Sequence, residues 1–133
     1  MVSPATPAYL LDSSVCVLIL RGRTAVAELP APPEAGISAI VAAELWAGAV
    51  KANRASEAAA LEQLLDFFPV LDFTANATRV YGEIRADLEQ RGQPIGSLDQ
   101  LIAAHARSLG ATVVTVNVRE FKRVKGLKVQ AWK

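Results

Sequence analysis

Short continuous apolar runs alternate along this chain with longer stretches of helical period. Tyr9-Leu10-Leu11 reads as a buried strand ending at Asp12, and the apolar segment 15–20 beyond it reads as a helix with Ser13 or Ser14 available as its cap. Residues 22–33, rich in Ala, Pro and small polar groups, hold room for a short helix before a turn at Pro30, Pro32 and Pro33. Gly36-Ile37 forms a brief strand, and Ser38 caps a helix from 39 to about 51. A further helix, from about 54 to 67, turns Ala58, Leu61, Leu64, Leu65 and Phe68 toward a core. Residues 69–73 are extended, and Thr74 caps a long helix to about 91 through Ala77, Val80, Tyr81, Ile84 and Leu88. In the segment 96–110, Ser97 is an N-cap and Gly110 a stop; Leu98, Leu101, Ile102, His105 and Leu109 share one face, with Gln100 and Arg107 opposite. Ala111-Thr112-Val113-Val114-Thr115 is a β-branched strand, and residues 127–131 alternate as an edge strand does.

Strands alternating with helices predict an α/β sandwich, a mainly parallel sheet covered on both sides, because parallel strands need crossover connections. In that architecture ligands bind beyond the carboxyl ends of the strands. Asp12 and Thr115 with Asn117 fall on that rim, and Asp99, in the first turn of its helix, reaches it if the 92–96 loop lies there. Glu44 interrupts an apolar stripe made by Ile40, Val41, Ala47 and Gly48. A carboxylate in such a setting needs a positive partner, and a divalent cation would serve. Asp12, Glu44 and Asp99, assisted by Asn117, form a hard oxygen donor set suited to Mg²⁺ or Mn²⁺ and to phosphodiester hydrolysis. Spacing alone leaves a plainer reading open, with Asp12 and Asp99 as helix caps and Glu44 salt-bridged.

Composition narrows the classes. At 133 residues and 52% hydrophobic content the chain suits a single domain, 1–133, with 1–8 as an N-terminal extension. Lys and Arg number 14 against 13 acids, so any polyanion partner must be met by local charge. Arg119, Lys122, Arg123, Lys125, Lys128 and Lys133 stand against Glu120 alone at the C-terminal end, either a solvated tail or a local patch for a polyanion. The only cysteine, Cys16, sits among apolar neighbours and reads as packing. The single histidine, His105, lies on an apolar helix face, which excludes a metal-free ribonuclease working with paired histidines. No basic leader and no run of about 18 apolar residues is present, which predicts a cytoplasmic protein.

Four motifs in order carry a resemblance. They are Leu10-Leu11-Asp12-Ser13-Ser14-Val15; Ile37-Ser38-Ala39-Ile40 through Ala43-Glu44-Leu45-Trp46-Ala47-Gly48; the run from Pro94 through Asp99 to Ala106; and Val114-Thr115-Val116-Asn117-Val118-Arg119-Glu120-Phe121. The chain resembles PIN-domain proteins and, more narrowly, VapC-type toxins of bacterial type II toxin–antitoxin pairs. The resemblance implies a Mg²⁺- or Mn²⁺-dependent endoribonuclease that cuts structured RNA and inhibits translation, a homodimer, and inhibition by a cognate antitoxin. By position Asp12, Glu44 and Asp99 match the metal-binding acids.

The last motif departs from the family. Thr-Asn-Asp or Thr-Asn-Asn is common there, whereas Thr115-Val116-Asn117 lacks the middle polar residue and the final acid. A second metal is thereby put in doubt. Glu120 is close enough in sequence to substitute, or is a surface acid on a short turn. Ser13 and Thr115 are hydroxyls able to support the acids from behind. Arg119, Lys122, Arg123 and Lys125 are the RNA-guiding candidates. Trp46 with Leu45 is the candidate antitoxin contact, its ring placed on the more exposed side of the helix. A catalytically inactive PIN-like interaction module is the alternative, supported by the Val116 and Asn117 departure. A phosphoacceptor domain lacks the second acid it needs beside Asp12, and no Gly-rich phosphate loop is present.

Overall fold

The computed structural model describes residues 6–132. Five parallel strands form one sheet in the order β3-β2-β1-β4-β5. Strand β1 (Tyr9–Leu11) occupies the centre, paired with β2 (Ala35–Ser38) on one side and β4 (Thr112–Thr115) on the other. Its continuous apolar run is what a strand buried on both faces requires. The edges are β3 (Val70–Leu71) and β5 (Lys128–Ala131), the latter exposed as its alternation predicts. Gly36 lets β3 approach β2: a Cβ there would meet Pro69 O and Leu71 Cδ1 at 3.2 Å.

Helices α1 (Ser13–Leu20), α2 (Ala39–Ala52) and α3 (Ala55–Phe67) carry the chain outward from β1 to β3, and they pack on one another. Helices α4 (Ala75–Gln90) and α5 (Ser97–Leu109) then return it past β1 to β4, packed side by side. Right-handed crossovers in opposite directions put the two groups on opposite faces of the sheet. The reversal falls between β1 and β4, so the carboxyl ends of these strands open a crevice at the switch point.

Several local expectations are corrected. Helix α5 is preceded by Gly96, with no side-chain cap, and Ser97 is already helical; Gly110 does end it in the left-handed region at φ 68°. Its buried face is Gln100, Ile102, Ala103, Ala104, His105 and Ala106, while Leu98 is 42% exposed. Three small alanines allow close packing, and buried Gln100 spends its Nε2 on Ile95 O at 3.0 Å while its Oε1 has no partner among the described residues. Helix α1 is capped by Asp12 itself, not by Ser13 or Ser14. Between residues 22 and 33 there is only a 3-10 turn, Val26–Glu28. A one-turn helix α6 (Val118–Phe121) stands where the sequence shows only a turn.

The 1–8 extension lies outside the described residues up to position 5. Within the fold, Pro7 is buried and the Ala8 carbonyl accepts from Thr112 N at 2.8 Å. Lys133 also lies outside the described residues. Among the described residues no helix is long and apolar enough to cross a membrane.

Candidate functional site

Asp12 leaves the end of β1 at 0% exposure, where a carboxylate is costly unless its oxygens are bonded. Oδ1 accepts from Ser13 N at 2.8 Å, the capping bond of α1. Oδ2 accepts from Ser14 Oγ at 2.9 Å and from Thr115 Oγ1 at 2.7 Å. Thr115 Oγ1 in turn accepts from Asn117 N at 2.9 Å, and Ser14 Oγ accepts from Val116 N at 3.1 Å. The ends of β1 and β4 are therefore knitted together around this one acid.

Asp99, half-buried at the start of α5, stands near enough to Glu120 of α6 for the two carboxyls to interact through a shared proton. Burial first, then this interaction and the charges of Asp12, Glu120 and Glu44 push the Asp99 carboxyl up to about 7. Four acids from the end of β1, α2, α5 and α6 thus act on one another at the switch point. Glu120 is not a plain surface acid; the one-turn helix that brings it inward has no periodicity by which a sequence reveals it. None of the four takes part in an ion pair among the described residues, so the salt-bridged reading of Glu44 is not realised. Nor do any three acidic, histidine or cysteine side chains among those residues stand close enough together to hold a metal ion as they are placed. Carboxylates without a counter-ion repel one another, and the pair that does touch is the one able to share a proton.

Residues 9–127 match the PIN domain family. The chain belongs to that family. Within it the chain is of VapC type, an RNA-cleaving hydrolase. It is 37% identical to a tRNA(fMet)-specific endonuclease VapC of Shigella flexneri, across 93% of this chain and 97% of the relative. The solved DNA-bound VapBC of Salmonella typhimurium superposes with a TM-score of 0.88 at 34% identity, covering 96% of this chain and 99% of the other. VapBC2 of Rickettsia felis, bound to a promoter DNA fragment, superposes with a TM-score of 0.85 at 35% identity, covering 94% and 98%.

In this PIN domain His105 is a core residue. Its Nδ1 lies 2.7 Å from Ser38 Oγ, which also accepts from Ile40 N to cap α2, and its ring meets Phe73 edge-on at 5.4 Å. Desolvation lowers its pKa, against a backbone hydrogen bond to Asp72. Burial likewise pushes the Cys16 thiol up to about 12, which leaves it an inert packing group.

The basic end of the PIN domain divides in two. Arg119 and Lys122 are exposed and join no ion pair among the described residues. Arg123 is instead committed to Pro94 O at 2.9 Å, and Lys125 lies 3.8 Å from Asp87. The exposure expected of the Trp46 and Leu45 pair is lower in the structure. Trp46 is half-buried against the core, and Leu45 is 7% exposed. The apolar surface beside the acids is a groove of about 670 Å³ between α1, α2 and α3, with Val17, Leu18, Leu45 and Leu61 on its walls. Glu44 and Asn117 line the same groove.

Proposed function

We propose that this PIN domain is a divalent-cation-dependent endoribonuclease, the toxin of a toxin–antitoxin pair that inhibits translation, with Asp12, Glu44 and Asp99 as its metal-binding acids and Glu120 beside them. What supports this is the Asp99 carboxyl, pushed up to about 7 by burial first and then by Glu120, Asp12 and Glu44, with none of the four acids in an ion pair among the described residues. The donor chemistry fits: oxygen ligands of high negative charge suit Mg²⁺ or Mn²⁺, and a hard cation relieves the same repulsion that the proton now relieves.

When bound, such an ion supplies Lewis-acid chemistry, polarising a phosphate oxygen and activating water for attack on phosphorus. The protein's own contribution is placement. Ser13, Ser14 and Thr115 fix the Asp12 carboxylate, leaving it a single orientation. Asn117 brings a neutral amide to the groove mouth, able to orient water or a phosphate oxygen. Exposed Arg119 and Lys122, on and just after α6, offset the repulsion that the acids exert on RNA phosphates.

The solved relatives are toxin–antitoxin complexes, and the apolar groove ending at Glu44 suits an antitoxin segment that carries aliphatic side chains and sets an Arg or Lys against the acids. A homodimer and a hetero-oligomer with that antitoxin are the assemblies proposed, and the cytoplasm is their compartment. Four acids without an ion pair among the described residues favour the cation-dependent enzyme over a non-catalytic module.

The relative's specificity makes tRNA(fMet) the first RNA to try. Cleavage should require Mg²⁺ or Mn²⁺, stop on chelation and return on re-addition; cleavage indifferent to a chelator overturns the proposal. Co-expression with the partner should silence it, and Leu18→Glu on the groove wall should weaken that complex. A complex as active as the free chain contradicts the regulatory half.

A further inference from the structure

Helix α6 is a single turn anchored in the core by Phe121, and it must hold Glu120 against another acid. Two arginines outside the acid cluster join the segments that flank it. Arg91, at the end of α4, directs Nε and Nη2 to Asp87 Oδ2 at 2.9 and 2.6 Å, and the same Nη2 reaches Arg123 O at 2.6 Å. Arg123 replies in the opposite direction, its Nη1 donating to Pro94 O at 2.9 Å. Pro94 precedes Asp99 by five residues, and Arg123 follows Glu120 by three. Arg107 adds a third tie, from α5 to Lys125 O at 2.9 Å.

We propose that Arg91 and Arg123 are positioning residues: their reciprocal clasp between the loop entering α5 and the turn leaving α6 holds Glu120 beside Asp99. The inference rests on the metal-dependent reading above. Arginine is required at position 91 because one planar guanidinium can hold the Asp87 carboxylate and the Arg123 carbonyl together, whereas a lysine ammonium on its flexible stem cannot keep both bonds in this geometry. Arg123 therefore serves the site through Pro94, not through RNA.

The test is calorimetric titration of Mn²⁺ alone, without RNA, into the full chain and variants shown folded by circular dichroism. Arg91→Lys, Arg123→Gln and Glu120→Gln should each weaken Mn²⁺ binding about tenfold, as lost outer-shell support does. Arg123→Lys, which keeps a donor for Pro94, should recover most of the loss. Because the arginines act through Glu120, adding Arg123→Gln to Glu120→Gln should cost no more than about a further twofold. Wild-type Mn²⁺ affinity in Arg91→Lys and Arg123→Gln, or losses that multiply in the double variant, overturns the clasp. Weakened RNA binding with unchanged Mn²⁺ affinity does so too, returning Arg123 to the RNA surface. Absence of Mn²⁺ binding by the unmodified chain is a different failure, which removes the cation reading and this inference with it.

Discussion

The Thr115 hydroxyl donates a 2.7 Å hydrogen bond to Oδ2 of Asp12, joining the ends of the two strands between which the sheet order reverses. Both residues are fully buried. Thr115→Val keeps the shape but removes a donor from a buried carboxylate and the acceptor of Asn117 N. Urea unfolding should show a loss of roughly 1–3 kcal/mol, the cost of leaving such groups unsatisfied. Mg²⁺ affinity should fall with it, and Thr115→Ser should keep both properties. A valine variant as stable as the parent contradicts this role.

Asp99 gives stability a pH dependence of determinate sign. Its folded pKa of about 7 lies above the unfolded value of about 3.9, so between these limits the folded state binds a proton that the unfolded state has released. The contribution is fully present below about pH 4 and is lost as pH rises through about 7. In chelator, Asp99→Asn should flatten this slope and melt above the parent at pH 8. Mg²⁺ should raise the parent's melting temperature at that pH and leave the variant's nearly unchanged. A parent and variant with parallel pH profiles would remove the basis for an uncompensated acid cluster.

Only the free half of the basic end should answer to RNA. Arg119→Glu with Lys122→Glu should weaken RNA binding and flatten its salt dependence, by roughly 0.7 in the log–log slope for each single-strand phosphate that these two cations neutralise in the parent. An unchanged slope assigns both residues to the solvated surface.

The architecture was legible because its strands are buried runs and its helices carry caps that act through short-range chemistry. Ser38 and Thr74 cap α2 and α4 as their positions predict, and Gly110 ends α5. Asp12, Glu44 and Asp99 could be picked out because a carboxylate in an apolar setting is costly and needs a reason. Glu120 was ambiguous because one helical turn has no period, and its inward placement depends on contacts between distant loops. The burial of Gln100 depends on the Ile95 carbonyl and on packing around α5, neither of which the pattern along the helix records. The clasp through Arg91 and Arg123 was invisible for the same reason: a charged residue in a polar stretch looks alike whether it faces water or a carbonyl 32 positions away.

The proposed joint role of Asp12, Glu44 and Asp99 is to hold the cation on which RNA cleavage depends. It is tested most directly by following cleavage of tRNA(fMet) in Mg²⁺ by the parent chain and by Asp12→Asn, Glu44→Gln and Asp99→Asn, with circular dichroism recorded on the same samples. The account predicts native spectra for all four proteins and cleavage by the parent alone. Undiminished cleavage by any two of the three variants contradicts it.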